Sequence, residues 1–341
     1  MILQLKREKP DDVHIIAGTR DVITLCRLRC DLTDAAMSSL PPLPPGGRGK
    51  SCREFLVDLV LQGGGVGSAA DVDEDAVAAV NTKTNRLRWL LDCVINAQGA
   101  FEFRRQEISL MSGQGADSVS DDDVLQSFVS SVGDGELAWF SAYMQAASLV
   151  FTADCTVFTH GGLYGPFDGD HGASCESCIG VLPPNARQPQ HSISVAEWVD
   201  SLNDWFSQQV AAPAVVGDSE GDLSLLSYAS HPPTCPSVLT ARMSLGSGAP
   251  CPPPHDVAQA LNGAGITRIV AGGSAQGHGP SIWSTPCLEV HTLLLVSCSC
   301  SRAVAQLHLM CRFACSPHSL FSRYAWPTQM NFLSLQVPAI L

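Results

Sequence analysis

Side chains able to handle phosphate or a divalent cation stand beside glycines at three places in this sequence. Thr19, Arg20 and Asp21 follow Gly18, His160 precedes Gly161-Gly162, and His278 lies five residues beyond Gly272-Gly273. A guanidinium can hold two phosphate oxygens at once, a carboxylate can orient a neighbour, and carboxylates and imidazoles suit divalent metals. Adjacent Arg20 and Asp21 equally describe a buried structural ion pair, and His278 reads more simply as a loop histidine. Other groupings carry less. Cys175-Glu176-Ser177-Cys178 with His171 resembles half of a zinc site, but a structural site needs four ligands and no second pair stands out, so two free loop cysteines are the preferred reading. Asp121-Asp122-Asp123 is preferred as an acidic helix start over a cation site. The glycines at 63–67 precede an acidic segment and read as a loop rather than a phosphate cradle. No Gly-x-Ser-x-Gly occurs, so serine-hydrolase chemistry has no support.

The elements that must position these residues follow from hydrophobic spacing and turn signals. Residues 1–9 read as the end of a helix, and Val13–Gly18 as a short β-branched strand ending in glycine. Residues 37–72 read as a Pro/Gly-rich insertion. One helix is expected from Asp75 to Val94 and another near Glu102–Glu107. A helix should follow Asp121–Asp123, and a further apolar helix should run from Gly135 through Leu149. Cys155–Phe158 reads as a strand. Ser194–Val210 reads as an amphipathic helix burying Trp198, Val199, Leu202, Trp205 and Phe206. Asp256–Leu261 is a short helix leading into a strand at Ile266–Ala271. Three strands thus end in glycine turns, after residues 17, 158 and 271, and in α/β folds sites form at the carboxyl ends of strands.

Composition narrows the partners. The chain has 341 residues, 45% of them hydrophobic and only 16% charged, with 29 glycines and 22 prolines. That length supports a sizeable core, and the glycines and prolines predict long irregular connections. A net charge of −13 argues against nucleic acid, whose binding runs on Lys/Arg contacts to phosphate. The 14 cysteines lack regular spacing, and the start Met1–Lys9 turns charged too early for a secretory signal. Free thiols and an intracellular location are therefore expected. No run reaches a membrane span; 288–313 comes nearest but is interrupted by polar residues.

Taken in order, the motifs resemble those of the calcineurin-like metallophosphoesterases. The matching residues are His14-Ile15-Ile16-Ala17-Gly18-Thr19-Arg20-Asp21, then Leu25–Leu28 with Asp31-Leu32, Asn85–Leu91 and Phe101–Arg105. Val157-Phe158-Thr159-His160-Gly161-Gly162, Trp198-Val199 with Leu202-Asn203, and Ile269–Pro280 continue the series. The likeness covers about residues 1–285, which is taken as the domain, and is similar to a branch carrying Gly-Asn-Arg-Asp at the first turn.

The resemblance implies an α/β/β/α sandwich, two divalent ions such as manganese, iron or zinc, and in-line attack of a metal-bound hydroxide on a phosphorylated substrate. It places Arg20 and Asp21 among the catalytic residues and His160 at a metal-ligand position. Thr19 then stands where the family has a ligand asparagine, and Gly273 where it has a ligand histidine. His278 is a weak further candidate. The Asp-x-His and Gly-Asp-x-x-Asp motifs would precede the first strand, so an incomplete sandwich and an impaired hydrolase are expected. The alternatives are a non-catalytic pseudophosphatase that binds phosphorylated partners, or a gene-model fragment. The cysteine-rich tail, residues 286–341, falls outside the likeness, and no function is placed there.

Overall fold

The computed structural model describes residues 1–43, 49–64, 67–164, 179–180, 183, 194–212, 224–230, 237–243, 253–273, 281–284 and 289–292. The fold is mixed α/β, with many short helices around small sheets. The chain opens with α1 (Ile2–Glu8), β1 (Ile15–Ile16) and α2 (Thr19–Cys30). It continues through α3 (Cys52–Gln62), α4 (Glu74–Val80), α5 (Lys83–Trp89), α6 (Ala100–Ser112), α7 (Asp121–Val132) and α8 (Trp139–Gln145). Then come β2 (Ala147–Ser148), β3 (Val150–Ala153), β4 (Thr156–Thr159), α9 (Val195–Ala211), α10 (Ser224–Ala229) and α11 (His255–Gly263). β5 (Arg268–Ala271), β6 (Ser281–Ser284) and β7 (Glu289–Thr292) complete the order. The larger, five-stranded sheet runs β3-β4-β5-β7-β6, and β1 pairs with β2 alone. β4, β5 and β7 are parallel neighbours, while β3 and β6 run antiparallel at the two edges.

Capping chemistry sets the helix starts. Ser120 Oγ accepts from the Asp123 N–H at 3.1 Å, and Asp123 accepts from the Ser120 N–H at 2.8 Å, closing a capping box at the head of α7. The three aspartates therefore begin a helix, as read. Ser194 and Glu197 do the same for α9, whose Trp198, Leu202, Trp205 and Phe206 are buried in the core.

Three expectations are corrected. The helix expected over Asp75–Val94 is broken between α4 and α5, because the Thr82 hydroxyl caps Asn85 N–H at 3.2 Å and starts a new helix. It ends in one π-helical turn, Leu90–Val94. The apolar helix expected through Leu149 stops at Gln145, and the chain passes into β2 and β3 because its backbone finds partners in β1 and β4. The strand read over Val13–Gly18 shrinks to Ile15–Ile16, since Gly18 already serves as the N-cap of α2. Residues 37–72, read as an insertion, contain α3, whose Cys52 and Leu56 are buried. β7 lies beyond residue 285 and adds a parallel strand beside β5.

Two arginines, one buried and one half-buried, lock the helical layer. Arg86, fully buried, donates to Asn81 Oδ1 at 2.8 Å and to the carbonyls of Ala36 at 2.8 Å and Ser39 at 2.6 Å. Arg29 donates to Val132 O at 3.3 Å and Val210 O at 3.0 Å, at the C-terminal ends of α7 and α9, where carbonyls attract cations.

Candidate functional site

The ends of β1 and β4 meet head-on. Ile16 lies opposite Ser148, and Val150, two residues further along, lies opposite Thr159. β1 leaves the ladder at Gly18 just where β4 arrives at His160. A methyl group built on Gly18 would stand 2.9 Å from His160 Nδ1 and 3.2 Å from Asp21 Oδ2. The imidazole therefore covers the N-cap of α2, and glycine is the residue that leaves it room.

The third turn joins by the parallel pairing of β4 and β5. The Gly272 N–H donates to His160 O at 2.9 Å, carrying the ladder one residue past the strands. At Gly273 an added Cβ would lie 2.8 Å from His160 O and 3.0 Å from Gly161 Cα. With the turns this close, no imidazole can occupy position 273 unless the backbone moves.

A fourth segment, 237–243, closes the cluster. Gly161 N–H donates to Val238 O at 2.7 Å, and the Thr19 hydroxyl donates to Leu239 O at 2.7 Å. The Tyr228 hydroxyl on α10 accepts from the Val238 N–H at 3.3 Å and steadies that turn. Thr19 thus spends its hydroxyl proton on a backbone carbonyl.

Asp21 is the third residue of α2 and reaches back to accept from the Gly18 N–H at 2.9 Å. Its carboxyl also hydrogen-bonds the Tyr143 hydroxyl of α8. Burial raises its pKa to about 6 against the lowering effect of these two bonds, and burial together with the neighbouring carboxylate raises the Tyr143 phenol. Arg20 points outward, exposed. Among the described residues it forms no ion pair, so the alternative of a buried Arg20–Asp21 pair is not what the structure has.

The structure thus brings Thr19, Asp21, His160 and Gly273 to one place, with Arg20 at its outer margin. His278, His171, Cys175 and Cys178 lie outside the described residues. Tyr143 and the 237–241 turn were not singled out from sequence. Tyr143 is hidden in an apolar helical run, and the turn contributes backbone carbonyls, which leave no mark in residue type.

A pair of divalent ions does not suit the residues present. Among the described residues no group of three or more His, Cys, Asp and Glu could hold a metal. Thr19 offers only a neutral hydroxyl, a weaker ligand than an amide oxygen or a carboxylate, and Gly273 offers no side chain. The described residues do not make a two-metal site. Among them, too, no helix is long and apolar enough to cross a membrane. Comparison with protein-family models, curated proteins and solved structures finds no match for this chain.

Proposed function

We propose that this chain is a calcineurin-like phosphoesterase in descent and a binder of phosphorylated ligands in practice, with metal-dependent hydrolysis impaired. One observation carries the reading. The three glycine turns, far apart in sequence, converge through Gly18, His160, Gly272 and Gly273 at the carboxyl ends of β1, β4 and β5. Ligands collect at such strand ends in α/β folds. Exposed Arg20 stands beside that point, free of any carboxylate partner among the described residues, and offers a bidentate contact to phosphate. Hydrolysis is impaired because Thr19 brings only a hydroxyl, and Gly273 no side chain, where the resemblance calls for an amide and an imidazole.

The test has two arms. With a generic phosphomonoester and added manganese, turnover should not rise above the buffer rate. Turnover abolished by His160→Ala would instead make the chain an active metallophosphoesterase. Titration calorimetry with inorganic phosphate and a phosphoserine peptide should show binding that Arg20→Ala weakens about tenfold, the loss of one charge-assisted contact. No binding by the unaltered chain would sink the proposal.

A further inference from the structure

Asn203, in the middle of α9, touches none of the three glycine turns, yet it sits where two of them are made to meet. Its Oδ1 accepts from the N–H groups of Leu149 at 3.0 Å and Val150 at 3.2 Å, and its Nδ2 donates to Val150 O at 2.8 Å. These are the residues at which the chain passes from the β1 ladder to the β4 ladder.

In an extended chain, residues two apart present their backbone groups to the same edge. Ser148 gives its carbonyl to the Ala17 N–H at 2.9 Å, and Val150 turns its own carbonyl and N–H to Asn203. The Asn203 amide thus takes the place along this edge that β1 gives up when it turns into α2. A side-chain amide has the acceptor and donor needed to imitate one residue of a neighbouring strand. Without it, the N–H and C=O of Val150, a residue about 1% exposed, would be left unpaired, which folded chains avoid.

We infer that Asn203 is a positioning residue for the glycine-turn site. It holds the Ser148–Val150 step straight, so that β4 delivers His160 onto Gly18 and Asp21. The geometric claim stands on these bonds alone; its consequence for ligand affinity rests on the phosphate-binding reading above.

The experiment uses the full chain labelled with 13C-histidine and 15N,13C-glycine. The readout is the nuclear Overhauser contact between the His160 ring and Gly18, whose neighbourhood to Nδ1 and Cε1 is given by the 2.9 and 3.0 Å approaches. Asn203→Ala should lose that contact while far-UV circular dichroism stays that of the parent. Asn203→Asp, which keeps the acceptor but sets a carboxylate oxygen against the Val150 carbonyl that Nδ2 serves, should lose it as well. Ser51→Ala, which removes the cap of α3 away from the site, should lower the melting temperature yet leave the contact in place. If Asn203→Ala does not fold, Asn203→Ser, too short to reach both N–H groups, takes its place with the same expectation. A contact that persists in the alanine or serine variant, with only the melting temperature lowered, overturns the inference. In parallel, inorganic phosphate affinity should fall about tenfold in Asn203→Ala, the scale of a sub-ångström to ångström misplacement. Loss of the ring contact in a chain whose parent binds no phosphate overturns the phosphate reading and leaves the positioning role standing.

Discussion

The closeness of the turns can be measured by adding one methyl group at each of two glycines. At Gly161 an added Cβ would meet Val238 O at 2.7 Å, Ala241 O at 2.9 Å and Leu239 C at 2.9 Å. All three are backbone atoms, so relief requires moving the whole 237–241 turn. At Gly18 the nearest atoms belong to the His160 ring, a side chain that can rotate. Neither glycine has a left-handed φ, so the difference between them is one of space, not of backbone strain. Overpacking against backbone costs about 1–3 kcal/mol. Displacing Val238 also weakens the 2.7 Å bond from Gly161 N–H, worth about 1 kcal/mol. The lower entropy of the unfolded alanine chain returns about 0.4–1 kcal/mol at both positions. Gly161→Ala should therefore destabilise by about 2–3 kcal/mol, and Gly18→Ala by less than about 1 kcal/mol. In a thermal melt the first should fall about 5 °C below the second. The assay is differential scanning calorimetry of both variants at one pH. Equal melting temperatures would refute the claim that the 237–241 turn is packed rigidly against the β4 turn.

Two other groups give sharp expectations. Asp21 has its pKa raised from 3.8 to about 6 by burial, so the folded chain binds this proton more tightly than the unfolded chain does. Its contribution is greatest below pH 3.8 and is lost as pH rises through about 6. Asp21→Asn removes that loss and should gain up to about 3 kcal/mol at pH 7 relative to its effect at pH 4, where the carboxyl is already protonated. Urea melts at the two pH values test this, and a gain that is larger at pH 4 contradicts the assignment. Arg86→Met keeps the apolar stem but leaves the carbonyls of Ala36 and Ser39 and the Asn81 amide oxygen without their buried donor. The cost should be about 4 kcal/mol, roughly 10 °C in melting temperature. A loss of under 2 °C would mean that water reaches these carbonyls readily.

Legibility from sequence followed the kind of force at work. The start of α7 was readable from Asp121–Asp123, because acidic residues suit a helix N-terminus, and the Ser120 and Ser194 caps, which were not read, complete the starts of α7 and α9. The apolar face of α9 was readable from its period. The break at Thr82 was missed because the helical spacing rested on Leu87, Leu90 and Leu91, which all lie on its C-terminal side, and periodicity does not see a hydroxyl that caps. The strands at Ala147–Ser148 and Val150–Ala153 were missed because nothing local makes them extended. Their partners are β1, β4 and the Asn203 amide, all distant in sequence. At the site, the glycine turns were visible as residue types, whereas Tyr143 and the 237–241 carbonyls enter only through tertiary packing.

The glycines and the side chains at this point carry different information. Gly18 leaves room for the His160 ring, while Gly161 is required by the carbonyls of Val238 and Ala241 and Gly273 by the His160 carbonyl. Each is explained by another part of this chain approaching closely, with no phosphate or metal in the account. A pattern of glycines therefore reports that strand ends converge, and it would do so in a binder and in a hydrolase alike. Chemistry has to come from groups that can accept, donate or hold charge at that point. Of these, Thr19 is engaged with Leu239, and Asp21 is held by Gly18 and Tyr143. His160 lies across the N-cap of α2, and Arg20 faces outward. On the proposed reading an outward cation beside converged turns suits capture of an anion, so Arg20→Ala tests that capture while His160→Ala tests turnover.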